Sequence, residues 1–118
     1  MTEHQHQKAL IEWANLHVWG PLLVKITNEQ KNGENFGVVK TLLSEGLRPG
    51  FPDLFLFLPK HHYHGLALEL KAPKKKPSEN QLYYLKILGG HGYKTCVSDD
   101  LDYSMSKIKE YIGCSRVK

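Results

Sequence analysis

The apolar positions of the chain follow two different periods. Leu10, Trp13, Ala14 and His17 recur at the i, i+3, i+4, i+7 spacing of one helical face, which predicts a helix over about 3–17. Gly20-Pro21 ends it. The run Leu22-Leu23-Val24-Lys25-Ile26-Thr27 is short and β-branched, the signature of a strand. Residues 28–37 are polar and rich in Asn and Gly, so they read as a loop, with Asn28 in a turn role. A second helix is predicted over about 37–45, with Val38, Leu42 and Leu43 facing inward and Gly46 as its stop.

The turn-prone stretch Arg48-Pro49-Gly50-Phe51-Pro52-Asp53 leads into the apolar run Leu54-Phe55-Leu56-Phe57-Leu58. Pro59 closes that strand, residues 60–65 turn the chain, and Leu66-Ala67-Leu68-Glu69-Leu70-Lys71 runs back, giving a hairpin. A basic link at 72–77 precedes a helix over about 79–88, with Ser78 as N-cap and Gly89-Gly90 after its end. Tyr93-Lys94-Thr95-Cys96-Val97 reads as another strand. Asp99 or Asp100 caps a last helix striped with Leu101, Met105, Ile108 and Ile112 and ended by Gly113. This order of elements predicts an α/β fold, a central mixed sheet flanked by helices, with residues 1–118 as one domain.

One position pair breaks the pattern. Glu69 and Lys71 lie two apart inside an otherwise apolar strand, so both point to one face while Leu66, Leu68 and Leu70 point to the other. Asp53 opens the partner strand, and a hairpin can bring it beside Glu69. Two carboxylates held close need a cation, and hard oxygen ligands with room for water suit Mg²⁺ or Mn²⁺. The backbone carbonyl of Leu70 lies between the two functional side chains and offers a third oxygen. Lys71 is then placed to orient an attacking water or to stabilise a charged phosphorane. An isolated Glu-x-Lys is ordinary on a solvent-facing strand. Gly50-x-Pro52-Asp53, two apolar strands and Glu69-x-Lys71 in sequence are much harder to obtain by accident.

Composition narrows the class. The 118 residues are 41% hydrophobic and 24% charged, an ordinary globular balance. No apolar run is long enough to span a bilayer, and the start lacks the order of a secretory signal, so a cytoplasmic location is the default expectation. Lys and Arg total 16 against 12 acids, for a formal charge of +4, which suits a polyanionic partner without proving one. Cys96 and Cys114 form no metal or disulfide motif and read as two reduced thiols, one of them buried on a strand.

The run Gly46 to Leu54, the run Tyr63 to Lys71, Ser78-Glu79-Asn80-Gln81 and the stretch Leu88 to Tyr93 together resemble the VRR-NUC branch of the PD-(D/E)xK nucleases. The resemblance implies a restriction-endonuclease-like core and metal-dependent hydrolysis of phosphodiesters. It further implies that small standalone members, often phage-encoded, act as homodimers on branched or structured DNA. In such a family Asp53 and Glu69 ligate the metal and Lys71 is the catalytic lysine. Glu3 with Gln7 matches the E-x-x-x-Q spacing of the first helix, with Glu12 as a competing candidate, and Gln81 would complete the site. Ser78 and Gln81 also form a capping box, and the two roles need not exclude each other. So small a chain has little surface for reading bases, which favours shape and phosphate recognition.

Lys74-Lys75-Lys76, and more weakly Arg48 and Lys40, are candidate phosphate contacts. His61, His62 and His64 lack the spaced partners of a zinc site and read as a loop, and His4 and His6 as surface residues. Of Tyr83 and Tyr84, one is expected to pack inward. The competing functional class is a non-catalytic DNA-binding module on the same fold, and an RNA nuclease is a third.

Overall fold

The computed structural model describes residues 1–27 and 36–113. Asn28 and Cys114 lie outside these described residues. The elements are α1 (Glu3–Ala14), a 3₁₀ turn (Gly20–Leu22), β1 (Leu23–Lys25), α2 (Phe36–Ser44), β2 (Leu54–Leu56), β3 (Leu66–Leu70), α3 (Glu79–Gly90), β4 (Lys94–Ser98) and α4 (Leu101–Gly113). The strands form one sheet in the order β1-β2-β3-β4. β1 and β2 pair antiparallel, as do β2 and β3, while β3 and β4 pair parallel across the α3 crossover. The fold is therefore the expected mixed α/β sheet flanked by helices.

The alternation along β3 divides the molecule into two layers. Leu66, Leu68 and Leu70 point to one face and join Leu54 and Leu56 in a core closed by Leu10 and Ala14 of α1 and by Ile108 and Tyr111 of α4. Each of these leucines is at most 1% exposed, and burial of such a side chain is worth about 1.5–3 kcal/mol. The second face carries Phe55, Ala67 and Glu69 and is also buried. Phe55 stacks on Phe51 and meets Tyr93 edge-on, and Phe51 packs against Tyr84 of α3. Tyr84 is thus the half-buried member of its pair, and Tyr83 stays exposed.

Several boundaries differ from expectation for local reasons. α1 ends at Ala14, and the His17 ring bonds back to the Trp13 carbonyl beyond that end. β1 and β2 are shorter than their apolar runs, three residues each. Leu22 belongs to the 3₁₀ turn, and Phe57 is half exposed, beyond the end of β2. Gly89 and Gly90 continue α3 instead of following it.

α2 is rotated from its expected facing. Val38 and Leu43 are exposed, and the less exposed positions are Val39 and Leu42, a pair three residues apart. Its end matches expectation: Leu47 N–H bonds the Leu42 carbonyl and Gly46 N–H the Leu43 carbonyl, with Gly46 at φ +105°. That is the Schellman arrangement, in which glycine takes the left-handed position. Among the described residues no helix is long and apolar enough to cross a membrane.

Candidate active site

The site begins with a turn. Phe51 N–H bonds the Arg48 carbonyl at 3.0 Å, with Pro49 and Gly50 between them and Gly50 at φ +92°. Proline then a left-handed glycine is the type II arrangement. The Asn80 side chain of α3 donates to the Pro49 carbonyl. A Cβ on Gly50 would lie 2.8 Å from that amide nitrogen, so residue 50 has neither the backbone freedom nor the space for a side chain. The turn delivers buried Pro52 and Asp53 to the edge of β2.

Asp53 is fixed from two sides. Its carbonyl accepts from Ile26 N–H at 2.9 Å, and Oδ2 accepts from Leu70 N–H at 2.9 Å. Extending the β2–β3 register of Leu54 opposite Leu68 places Asp53 opposite Glu69. Because Leu70 N–H points toward β2, the Asp53–Glu69 pair is a non-hydrogen-bonded one, the type in which facing side chains lie closest. The amide and carbonyl of a strand residue point the same way, so the Leu70 carbonyl also faces the Asp53 side. Hairpin register thus converges two carboxyls and one carbonyl.

Glu69 is fully buried, which excludes the ordinary exposed Glu–Lys pair. Its Oε2 accepts from Gln81 Nε2 at 2.9 Å, and its Oε1 has no hydrogen-bond partner. Burial first, and the Asp53 carboxyl second, push the Glu69 pKa up to about 9. Lys71 acts against this rise and Glu3 adds to it, so Glu3 of α1 lies within electrostatic reach of the site. Glu12 is exposed farther along the same helix.

Gln81 has both roles that its spacing allowed. Ser78 Oγ accepts from Gln81 N–H at 3.1 Å while Gln81 Oε1 accepts from Ser78 N–H at 2.8 Å, closing the capping box. The same Oε1 accepts from Lys71 Nζ at 3.2 Å. Both of those partners are donors only, so the carboxamide orientation is forced and Nε2 must face Glu69. One helix-capping residue therefore bonds both Glu69 on β3 and Lys71 just beyond its end.

The basic block leaves β3 through a turn in which Lys75 N–H bonds the Ala72 carbonyl. Lys74 sits there at φ +66°, and its N–H donates to Asp99 Oδ2 at 2.9 Å. Lys74, Lys75, Lys76, Arg48 and Lys40 are all exposed. His61, His62 and His64 are exposed on the hairpin, and His4 is exposed on α1. Cys96 is half-buried on β4, and burial raises its thiol pKa.

His6 corrects the sequence reading. It is 2% exposed, and its Nε2 lies 2.9 Å from Ser104 Oγ of α4. Burial lowers its pKa, against smaller opposing effects from Asp100, Asp99 and the Lys71 backbone. A histidine three residues after Glu3 carries no sequence signal for burial, because the polar face it occupies is covered only when α4 packs on α1. Asn80 was equally hidden, since its partner Pro49 is 31 residues away.

The donor set fits a hard divalent cation. An orphaned carboxylate oxygen, a second carboxyl opposite it and an adjacent backbone carbonyl supply oxygen only. Among the described residues no three His, Cys, Asp or Glu side chains lie together as a metal-holding group.

Comparison with known proteins gives a consistent picture. The VRR-NUC domain family model matches residues 1–99. A solved structure described as a VRR_NUC domain protein superposes with a TM-score of 0.83 at 21% identity, covering 96% of this chain and 89% of that chain, a likeness of fold. No curated protein matches the sequence.

Proposed function

The chain belongs to the VRR-NUC domain family, and from that premise we propose that it is a metal-dependent endonuclease cleaving phosphodiester bonds in branched or structured DNA. The observation that carries this reading is Glu69, a fully buried carboxylate with one unpartnered oxygen opposite a second carboxyl. Leaving a buried polar oxygen without a hydrogen bond, beside a second carboxyl, is costly. A fold that retains such a group has a use for it, which a pure DNA-binding module does not.

Asp53, Glu69 and the Leu70 carbonyl would hold Mg²⁺ or Mn²⁺. When bound, such an ion lowers the pKa of water and offsets negative charge building on the phosphoryl group. Lys71 supplies the adjacent positive charge, where it orients the attacking water or stabilises the crowded phosphorus. Water adds to phosphorus in line with the departing sugar oxygen, and the P–O bond opposite breaks. Gln81 holds the Lys71 ammonium and the Glu69 carboxyl at fixed separation, so little reorganisation accompanies the reaction.

Lys74, Lys75, Lys76 and Arg48 contribute phosphate contacts that position the backbone without reading bases. A homodimer would supply a second centre for the second strand of a branched substrate. Light scattering at working concentration tests that arrangement, and a monomer would remove it.

The decisive assay incubates the protein with forked, flap and four-way DNA in Mg²⁺ or Mn²⁺, beside Lys71→Ala. Cleavage by the wild type and not by the variant is expected. Tight binding with no cleavage by either protein would indicate the binding module, and cleavage of RNA alone would reassign the substrate.

A further inference from the structure

A buried polar chain joins α1 to the site's strand. Ser98 Oγ lies 2.8 Å from the Asp100 carbonyl, an atom that only accepts, so Ser98 spends its proton there. Ser104 must then donate to Ser98 Oγ, at 2.7 Å. Ser104 Oγ in turn is hydrogen-bonded to His6 Nε2, at 2.9 Å. Ser98 is the residue whose carbonyl accepts Lys71 N–H, at 2.9 Å, and the His6 ring neighbours the Lys71 backbone. His6 thereby ties the start of α1 to α4 and to the end of β3.

Glu3 sits one turn before His6, at the i, i+3 spacing that places two side chains on the same side of a helix. The Thr2–Gln5 capping box closes this turn on itself but does not attach it to the sheet. His6 supplies a polar attachment at this turn, beside the apolar contacts that Leu10 and Ala14 make farther along α1. We infer that His6 is a positioning residue for the metal-binding centre, holding the first turn of α1 so that Glu3 is presented to the Asp53–Glu69 pair. The inference rests on the nuclease reading above and assigns to a buried histidine a task outside the acid–lysine set. His6 touches neither substrate nor metal in this scheme and acts through Glu3.

The test is a double-variant cycle on Mn²⁺ binding, measured by calorimetry on the metal-free protein. His6→Leu keeps an apolar group of similar bulk and removes the hydrogen bond. His6→Gln retains an amide able to reach Ser104. Expected results are about tenfold weaker Mn²⁺ binding for His6→Leu, most of it recovered in His6→Gln, and no further effect of His6→Leu in a Glu3→Gln background. A packing role would make Leu at least as good as Gln. Equal losses with and without Glu3 would overturn the inference while leaving the metal centre intact. Absence of Mn²⁺ binding by the wild type would instead overturn the nuclease reading and this inference with it. Ser104→Ala breaks the same chain from α4 and should give the same roughly tenfold loss; unchanged Mn²⁺ affinity in this variant would overturn the inference.

Discussion

Displacing the proton on Glu69 should dominate how this protein responds to metal and pH. Burial and the neighbouring Asp53 carboxyl raise its pKa to about 9 in the folded, metal-free chain. Unfolded, the group returns to an ordinary glutamate value of about 4.3. Between these values the folded state holds a proton that the unfolded state has lost. Stability of the metal-free protein therefore falls as pH rises across this window, by up to about 1.4 kcal/mol per pH unit from this group. Below the unfolded value and above the folded one this contribution no longer changes.

Metal binding reverses the balance, because the ion requires the carboxylate. At pH 7, about two units below the folded pKa, the need to remove that proton would weaken metal binding roughly a hundredfold. Mn²⁺ affinity should then rise about tenfold per pH unit between pH 6 and 8. Calorimetry in buffers of different ionisation enthalpy should register about one proton released per ion. Thermal melts of the metal-free protein should show the opposite slope, and Glu69→Gln should flatten it while abolishing Mn²⁺ binding. A pH-independent affinity with no proton release would refute the reasoning, since it would mean that the carboxyl pair is already ionised before the metal arrives.

Other consequences follow from single contacts. Gln81→Leu keeps the bulk of the side chain but severs its links to Ser78, Lys71 and Glu69; urea melts should show a loss of about 1 kcal/mol, and steady-state kinetics a fall in kcat of at least about tenfold. Gly50→Ala forces a Cβ onto a left-handed backbone and against Asn80, so a loss of about 2 kcal/mol is expected in the same melts, with activity reduced in the surviving folded protein because Asp53 follows the turn. Lys74→Ala, Lys75→Ala and Lys76→Ala combined should lower the slope of log binding constant against log salt by about 1–3, measured by fluorescence anisotropy on flap DNA; an unchanged slope would show that the block is only a solvated linker.

Local chemistry determined much of this protein before any tertiary contact formed. The apolar period of two along Leu66 to Lys71 dictates that Glu69 and Lys71 share a face, whatever covers it. Ser78 with Gln81 sets the start of α3, and Pro49-Gly50 sets the turn before Asp53, because caps and turns depend on neighbours a few residues apart. Tertiary structure decided what those neighbours could not. Whether the Glu69 face meets water or protein depended on α3 and the Phe51–Phe55–Tyr84 packing. Whether α2 turned Val38 or Val39 inward depended on what it packs against, since a helix so rich in apolar residues has no single inward stripe. His6 looked like a surface residue because burial of a polar side chain requires partners from elsewhere in the chain, here Ser104, 98 residues away. Periodicity records which side chains point together; the desolvation that makes Glu69 unusual arises only when distant elements close over it.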